Sequence, residues 1–217
     1  MIWYHVYCAN HWYDVVAESL MAIERAKVPG TVRVQLVGSL LDEFHFRELA
    51  TIIGVDCNVM RSSVNQFEYP TIRDIWQCSQ NQDGPACYMH SKGVTNPSPV
   101  FTKWRWMMTD KILHDWKDRV EDLKSYDAVG CCLCTRWKNH EFAGNFWWAR
   151  HEWIRSLPEP IITHDRMYYE DWLLSVSPVR TKTLVAQNSE PCEASFYTTN
   201  GNPHQQFLEK AVHGILD

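Results

Sequence analysis

The first half of the chain alternates between two periodicities, and that alternation restricts the fold more than any other feature. Residues 2–8 are β-branched or aromatic and read as a strand. Asn10 stands where a helix cap belongs, and Trp12, Val15, Val16, Leu20 and Ile23 then mark one helical face that stops at the Val-Pro-Gly of residues 28–30. The cycle repeats: a strand over 31–38, a helix closed by Gly54, a strand over 57–62, a helix opening near Pro70, and a strand in "ACYMHSK". Strand and helix in turn call for an α/β domain with a central, mostly parallel sheet flanked by helices. Right-handed crossovers put every parallel strand's carboxyl end on one edge of that sheet, where ligands bind. Three segments therefore become candidates together: "YCAN", "MRSS" and "HSKG".

Beyond residue 100 the pattern becomes more varied. The spacing predicts one long helix over 102–124, with Trp104, Met108, Ile112, Trp116, Val120 and Leu123 as a core stripe. "YDAVGCCLCT" reads as a buried strand and "EFAGNFWWAR" as a strand or strand-like turn. "HEWIRSLP" and "YYEDWLL" read as short helices, and "NPHQQFLEKAVHGIL" as a terminal helix. With no repeat, low-complexity segment or Gly/Ser linker, residues 1–217 are expected to form a single domain.

Composition removes several function classes. A net charge of −5 with no basic run argues against a nucleic-acid binder. No segment approaches the ~20 apolar residues of a membrane span, and the N-terminus lacks the pattern of a signal peptide. The eight cysteines fall mostly inside apolar runs, as buried thiols do in a reducing, cytoplasmic setting. "CCLC" has no second pair with which to build a zinc site. No G-x-G-x-x-G, P-loop, G-x-S-x-G or H-E-x-x-H occurs.

What remains is polar chemistry at strand ends. His90 and Lys92 close the fourth strand, and Arg105 follows near the next helix start, a set suited to phosphate or diphosphate. Gly144 allows close approach to the backbone, Asn145 offers a donor and an acceptor, and Trp147 offers a stacking face for a sugar. Glu170 and Asp171 are adjacent carboxylates. On a helix they point about 100° apart, so one faces a site more easily than the other. Eleven tryptophans also fit a non-catalytic carbohydrate-binding module, which would stack sugars without needing a nucleotide.

"YMHSKGV", "WRWMM", "YDAVGC", "HEFAGNFWWAR" and "YEDWL", in this order over residues 86–173, resemble a glycosyltransferase family of bacterial and large-virus proteins. The same motifs resemble the N-terminal domain of the multi-domain glycosylation protein of chlorella viruses. The resemblance implies a GT-A-like domain that moves a hexosyl or deoxyhexosyl group from a UDP-type donor to a hydroxyl of a glycan or glycoprotein, such as a viral capsid glycoprotein in the host cytoplasm. It places the nucleotide sugar at Tyr7, Cys8, Ala9, Asn10, Arg61, His90, Lys92 and Arg105, and the acceptor at Gly144, Asn145 and Trp147. Asp171 or Glu170 would serve as base in an inverting reaction, with Lys92 as electrostatic catalyst. It also implies a D-x-D motif holding Mn²⁺ or Mg²⁺. None occurs here; "HSK" stands in its place, leaving His90 and His204 as candidate metal ligands and Lys92 as a cation able to neutralise the diphosphate itself.

Overall fold

The computed structural model describes residues 1–96, 98–134 and 140–185. Strand β1 (Ile2–Tyr7) is followed by helix α1 (Trp12–Ala26), β2 (Val32–Val37), α2 (Leu40–Ile53), β3 (Cys57–Ser62), α3 (Tyr69–Ser79) and β4 (Pro85–His90). The predicted strand–helix order of this half is therefore present, and β3, β2, β1 and β4 lie side by side, all parallel. The second half adds α4 (Pro99–Leu113), α5 (Trp116–Asp122), β5 (Ala128–Gly130), β6 (Leu133–Cys134), β7 (Glu141–Phe142), β8 (Trp147–Arg150), α6 (His151–Ser156), α7 (Met167–Asp171) and β9 (Thr181–Thr183). The main sheet has seven strands in the order β3-β2-β1-β4-β8-β5-β9; β8 runs antiparallel between β4 and β5, while β6 and β7 form a separate ribbon.

Strand periodicity divides the core in two. Ile2, Tyr4 and Val6 of β1, Cys87 and Met89 of β4 and Trp148 of β8 pack beneath α1, α2 and α4. Their neighbours Trp3, Ala86, Tyr88, Trp147 and Ala149 pack on the opposite face against α3 and α6. His90 shares that second face, its ring stacked on Tyr88 with an interplanar angle of 7°. Cys8, Cys57, Cys78, Cys87 and Cys134 form no disulfide. Among the described residues, no helix is long and apolar enough to cross a membrane.

Three local expectations are corrected. The long helix breaks at His114–Asp115 into α4 and α5. The strand predicted through "YDAVGCCLCT" divides at Cys132, whose φ of 56° takes the chain out of the main sheet and into the ribbon. Asn10 does not cap α1: it has φ 50°, and its amide instead donates to Val94 O at 3.1 Å. The terminal helix predicted in "NPHQQFLEKAVHGIL" lies outside the described residues.

Candidate functional site

The order β3-β2-β1-β4 contains a reversal. From β1 the chain winds outward to β2 and β3, then returns to place β4 on β1's other side. At such a switch point the loops leaving the two central strands diverge and open a crevice at their carboxyl ends. A cavity of about 490 Å³ lies there, of a size for a small-molecule ligand. His5 and Tyr7 from β1, Asn65, Phe67 and Glu68 from the β3–α3 loop, the segment from His90 to Asn96, Phe101 of α4 and Arg166 line it.

Local chemistry fixes the segment after β4. Ser91 Oγ accepts from Tyr7 N at 2.9 Å and Ser91 N donates to His5 O at 2.9 Å, which ties the first turn beyond β4 to β1. Gly93 then turns with φ 88°, where an added Cβ would meet Phe101 Cβ at 3.2 Å and Arg105 Nη1 at 3.3 Å. Between them, Lys92 is 7% exposed. Its Nζ stands 4.1 Å from the centre of the Trp104 ring and makes no hydrogen bond among the described residues. Burial lowers its pKa, against the opposing pull of Glu170, Glu68 and Glu141. It is a desolvated cation with carboxylates around it but none in contact, the state in which charge acts most strongly on an incoming anion.

His90 is held on two sides. Its Nε2 lies 3.0 Å from Gly144 O, and its Nδ1 lies 3.6 Å from Glu68 Oε1. Burial, followed by the Lys92 charge, keeps the ring neutral. Glu68 is 5% exposed and its Oε2 has no hydrogen-bond partner among the described residues. Burial, then the Glu170 charge, pushes its carboxyl up to about 7. Glu141 is likewise pushed up to about 7, by burial and then by Glu170 and Asp171. Arg166 binds Glu170 at 3.0 Å.

The structure gathers some of the expected site residues and disperses others. Tyr7, His90 and Lys92 line the cavity; Asn10 braces its wall through Val94 O. Cys8 packs against Gly38, with its thiol pushed up to about 12 by burial, and Ala9 lies in the turn before α1. Arg61 is engaged by Glu43 at 3.3 Å and Gly38 O at 3.1 Å, on β3, with β2 and β1 between it and β4. Arg105 is 3% exposed and is spent on Glu18 at 2.6 Å and Lys92 O at 2.9 Å, so it braces the loop rather than meeting a ligand. Glu170 faces Glu68 and Lys92, whereas Asp171 lines a second cavity of about 340 Å³ with His140 and Tyr168, as the divergence of adjacent helical residues requires.

The acceptor role expected for Gly144, Asn145 and Trp147 does not fit their geometry. Trp147 is fully buried, and its Nε1 donates to Asn145 Oδ1 at 2.8 Å. Asn145 is 1% exposed, and its amide donates to Tyr169 O at 3.3 Å. Gly144 has φ 91°, and a Cβ there would meet Met108 Sδ at 2.6 Å. The Gly-Asn step is a turn that presents a carbonyl to His90. Trp148 is buried as well, with its Nε1 on Ile112 O at 2.8 Å, so the tryptophan pair offers no stacking face to a carbohydrate.

Sequence reading missed Glu68, Glu141 and Arg166. The available signal for Glu68 was topological: the loop after β3 must reach the same edge as the loop after β4, and "QFEYP" is the end of that loop.

A metal site does not fit these residues. Among the described residues no group of three or more His, Cys, Asp or Glu stands close enough to hold an ion. The Nε2 of His90 is committed to a carbonyl, and an ammonium follows two residues later. His204 lies outside the described residues.

The solved structures that resemble this one share its GT-A-like fold, a mixed sheet flanked by helices. A mannosyltransferase from Pyrobaculum calidifontis, solved with GDP-mannose and Mn²⁺, is similar with a TM-score of 0.55 and 12% identity over 88% of this chain and 57% of its own. A 4-diphosphocytidyl-2C-methyl-D-erythritol synthase from Anaerococcus prevotii gives 0.51 and 9% identity over 99% and 96%. TarS residues 1–349 from S. aureus give 0.50 and 10% over 88% and 58%. The chain thus spans little more than half of the mannosyltransferase structure and of the TarS structure. By sequence, the chain belongs to the family DUF8361, described as a domain of unknown function, which it matches over residues 3–200. No curated protein matches it.

Proposed function

We propose that the protein is a nucleotide-sugar-dependent glycosyltransferase. The observation that carries this reading is the buried, hydrogen-bond-free ammonium of Lys92 inside a cavity at the β1/β4 switch point. A mixed α/β sheet with a desolvated cation at its switch point is suited to a diphosphate. The shared GT-A-type fold supports the reading, as does the motif resemblance over residues 86–173. The donor is a UDP-sugar carrying a hexose or deoxyhexose, and the acceptor is a glycan hydroxyl. The further link to viral capsid glycans rests on the motif resemblance alone.

In this mechanism Tyr7 and Phe67 border the space for the nucleoside, and Lys92 and Arg166 face the diphosphate. Negative charge grows on the leaving diphosphate as the glycosidic bond breaks. Lys92, already stripped of water, stabilises that charge without reorganising. In an inverting reaction we assign the acceptor proton to Glu170, which is paired with Arg166 on the Lys92 side of α7, since Asp171 lines the other cavity. No step is routed through a metal.

Titration calorimetry with UDP-glucose and GDP-mannose, in EDTA and again in Mn²⁺, tests the reading. Binding of a nucleotide sugar in EDTA that falls tenfold or more in Lys92→Met is expected. Absence of binding to any nucleotide sugar under either condition overturns it.

A further inference from the structure

The hydrogen-bond inventory around His90 fixes the protonation of its neighbour. Gly144 O can only accept, so the His90 Nε2 that meets it at 3.0 Å carries the ring's hydrogen. The neutral ring then turns a lone pair at Nδ1 toward Glu68 Oε1, 3.6 Å away. Two acceptors facing one another in a buried site repel, and ionised Glu68 would add a full charge to that repulsion. A neutral carboxyl relieves it. At 3.6 Å the carboxyl is too far from Nδ1 to give its hydrogen there, and Oε2 has no partner among the described residues. Glu68, on the wall of the ligand cavity, therefore has a hydrogen to donate and no taker among the described residues.

We propose that Glu68 recognises the anionic ligand as a neutral acid, donating its hydrogen to a phosphate oxygen, and that ligand binding is thereby linked to proton uptake. The inference rests on the donor-site reading above. An ionised Glu68 would offer the diphosphate only acceptors and a like charge, so the site discriminates between its own two protonation states.

The surroundings agree in sign. Burial and Glu170 of α7 oppose ionisation of Glu68, whereas Arg166 before α7, Glu68's own backbone N–H and Lys92 beyond β4 favour it. Burial is the largest of these influences and Glu170 comes next, which leaves the carboxyl at about 7. The phenols of Tyr88 and Tyr169 also face Glu68, and both are held neutral by burial. A diphosphate beside Lys92 adds negative charge and drives the carboxyl further toward its neutral form.

UDP-glucose is the probe, because its diphosphate is a diester with no titration of its own near neutrality. Calorimetry at pH 6.5 and 8.5, in two buffers of different ionisation heat, reads affinity and proton uptake together. The wild type is expected to take up close to one proton at pH 8.5 and to bind about tenfold more weakly there than at pH 6.5. Glu68→Gln, a permanent mimic of the neutral acid, is expected to bind with no uptake and no pH dependence. Glu141→Gln is expected to keep the wild-type slope, which separates the two carboxyls held near 7. Binding with no proton uptake by the wild type overturns the proposal and leaves the donor site standing, as does a Glu68→Gln variant with an undiminished slope. No binding at either pH overturns the donor site, and this proposal with it. The wild-type uptake measurement decides the matter alone should Glu68→Gln fail to fold.

Discussion

The two edges of the sheet treat buried carboxylates in opposite ways. At the amino edge, Asp74 of α3 accepts Trp3 Nε1 at 2.8 Å and both Arg33 Nε and Nη2, at 2.8 and 2.7 Å. Asp127, just before β5, accepts from Arg150 and from Arg180 through its backbone N at 2.8 Å and its Nη2 at 2.9 Å. Both oxygens of Asp74 and of Asp127 have partners. At the carboxyl edge, Glu68 Oε2 and Glu141 Oε2 are buried with no partner among the described residues, and the nearby ammonium of Lys92 leans on an indole instead of a carboxylate. Both edges are equally able to supply arginines to carboxylates. The difference teaches that these two unsatisfied glutamates lie where a ligand can satisfy them, whereas the saturated pairs of Asp74 and Asp127 serve stability.

Breaking the saturated edge should have the largest effect on the fold. Asp74→Ala leaves Arg33 and the Trp3 Nε1 without their acceptor and should cost about 3 kcal/mol in urea unfolding. UDP-glucose affinity should stay within about twofold of wild type, since the cavity is at the other end of the strands. A smaller stability loss, about 2 kcal/mol, is expected at the carboxyl edge from Gly144→Ala, where φ is 91° and Met108 Sδ lies 2.6 Å from the added Cβ. Lys92→Met should reverse the Asp74 pattern. Nucleotide-sugar affinity should fall tenfold or more, about 1.4 kcal/mol, with the unfolding midpoint nearly unchanged because a desolvated charge is removed along with its attraction to the nearby carboxylates. Equal losses of stability and affinity in both variants would erase the distinction between the edges.

The smallest effect is a pH dependence. The Glu68 carboxyl ionises near its ordinary value in the unfolded chain and near about 7 in the folded one. The folded state therefore binds more protons at Glu68 between those values, and the Glu68 contribution to stability is lost as pH rises from 5 to 7. His5, lowered to about 4 by burial, and His90, lowered well below its usual range, act in the opposite direction below about 6.5. Both histidines are present in Glu68→Gln, so their contribution cancels in the comparison. The stability of Glu68→Gln relative to wild type should grow by on the order of 1 kcal/mol between pH 5 and pH 7, read by urea unfolding at each pH.

The parallel half of the fold is legible in the sequence because each of its elements carries its own periodicity and punctuation. The Pro-Gly after α1, the Gly54 that closes α2 and Pro70 at the head of α3 are local signals. The second half is less legible, since its strands run to only two to four residues and their pairing comes from distant partners. The candidate site divides in the same way. Lys92 and His90 announce themselves as polar groups at the end of an apolar strand. Glu68 does not, because a glutamate before a helix is ordinary, and only the fold aims it at His90. Trp147 and Asn145 misled for the converse reason: their chemistry suits a sugar, but each is consumed by the other.

The reversed strand β8 gives the cavity a history as well as a shape. Glu68 and Lys92 belong to the early part of the chain, whereas the carbonyl that fixes His90 comes from the turn into β8, and Arg166 and Glu170 come later still. Joining segments so far apart closes long loops, the slow kind of contact in folding. During synthesis the parallel wing can collapse while its ligand-facing wall is still missing, so binding competence is acquired last, and a chain interrupted before β8 would carry the cation without the groups that tune it.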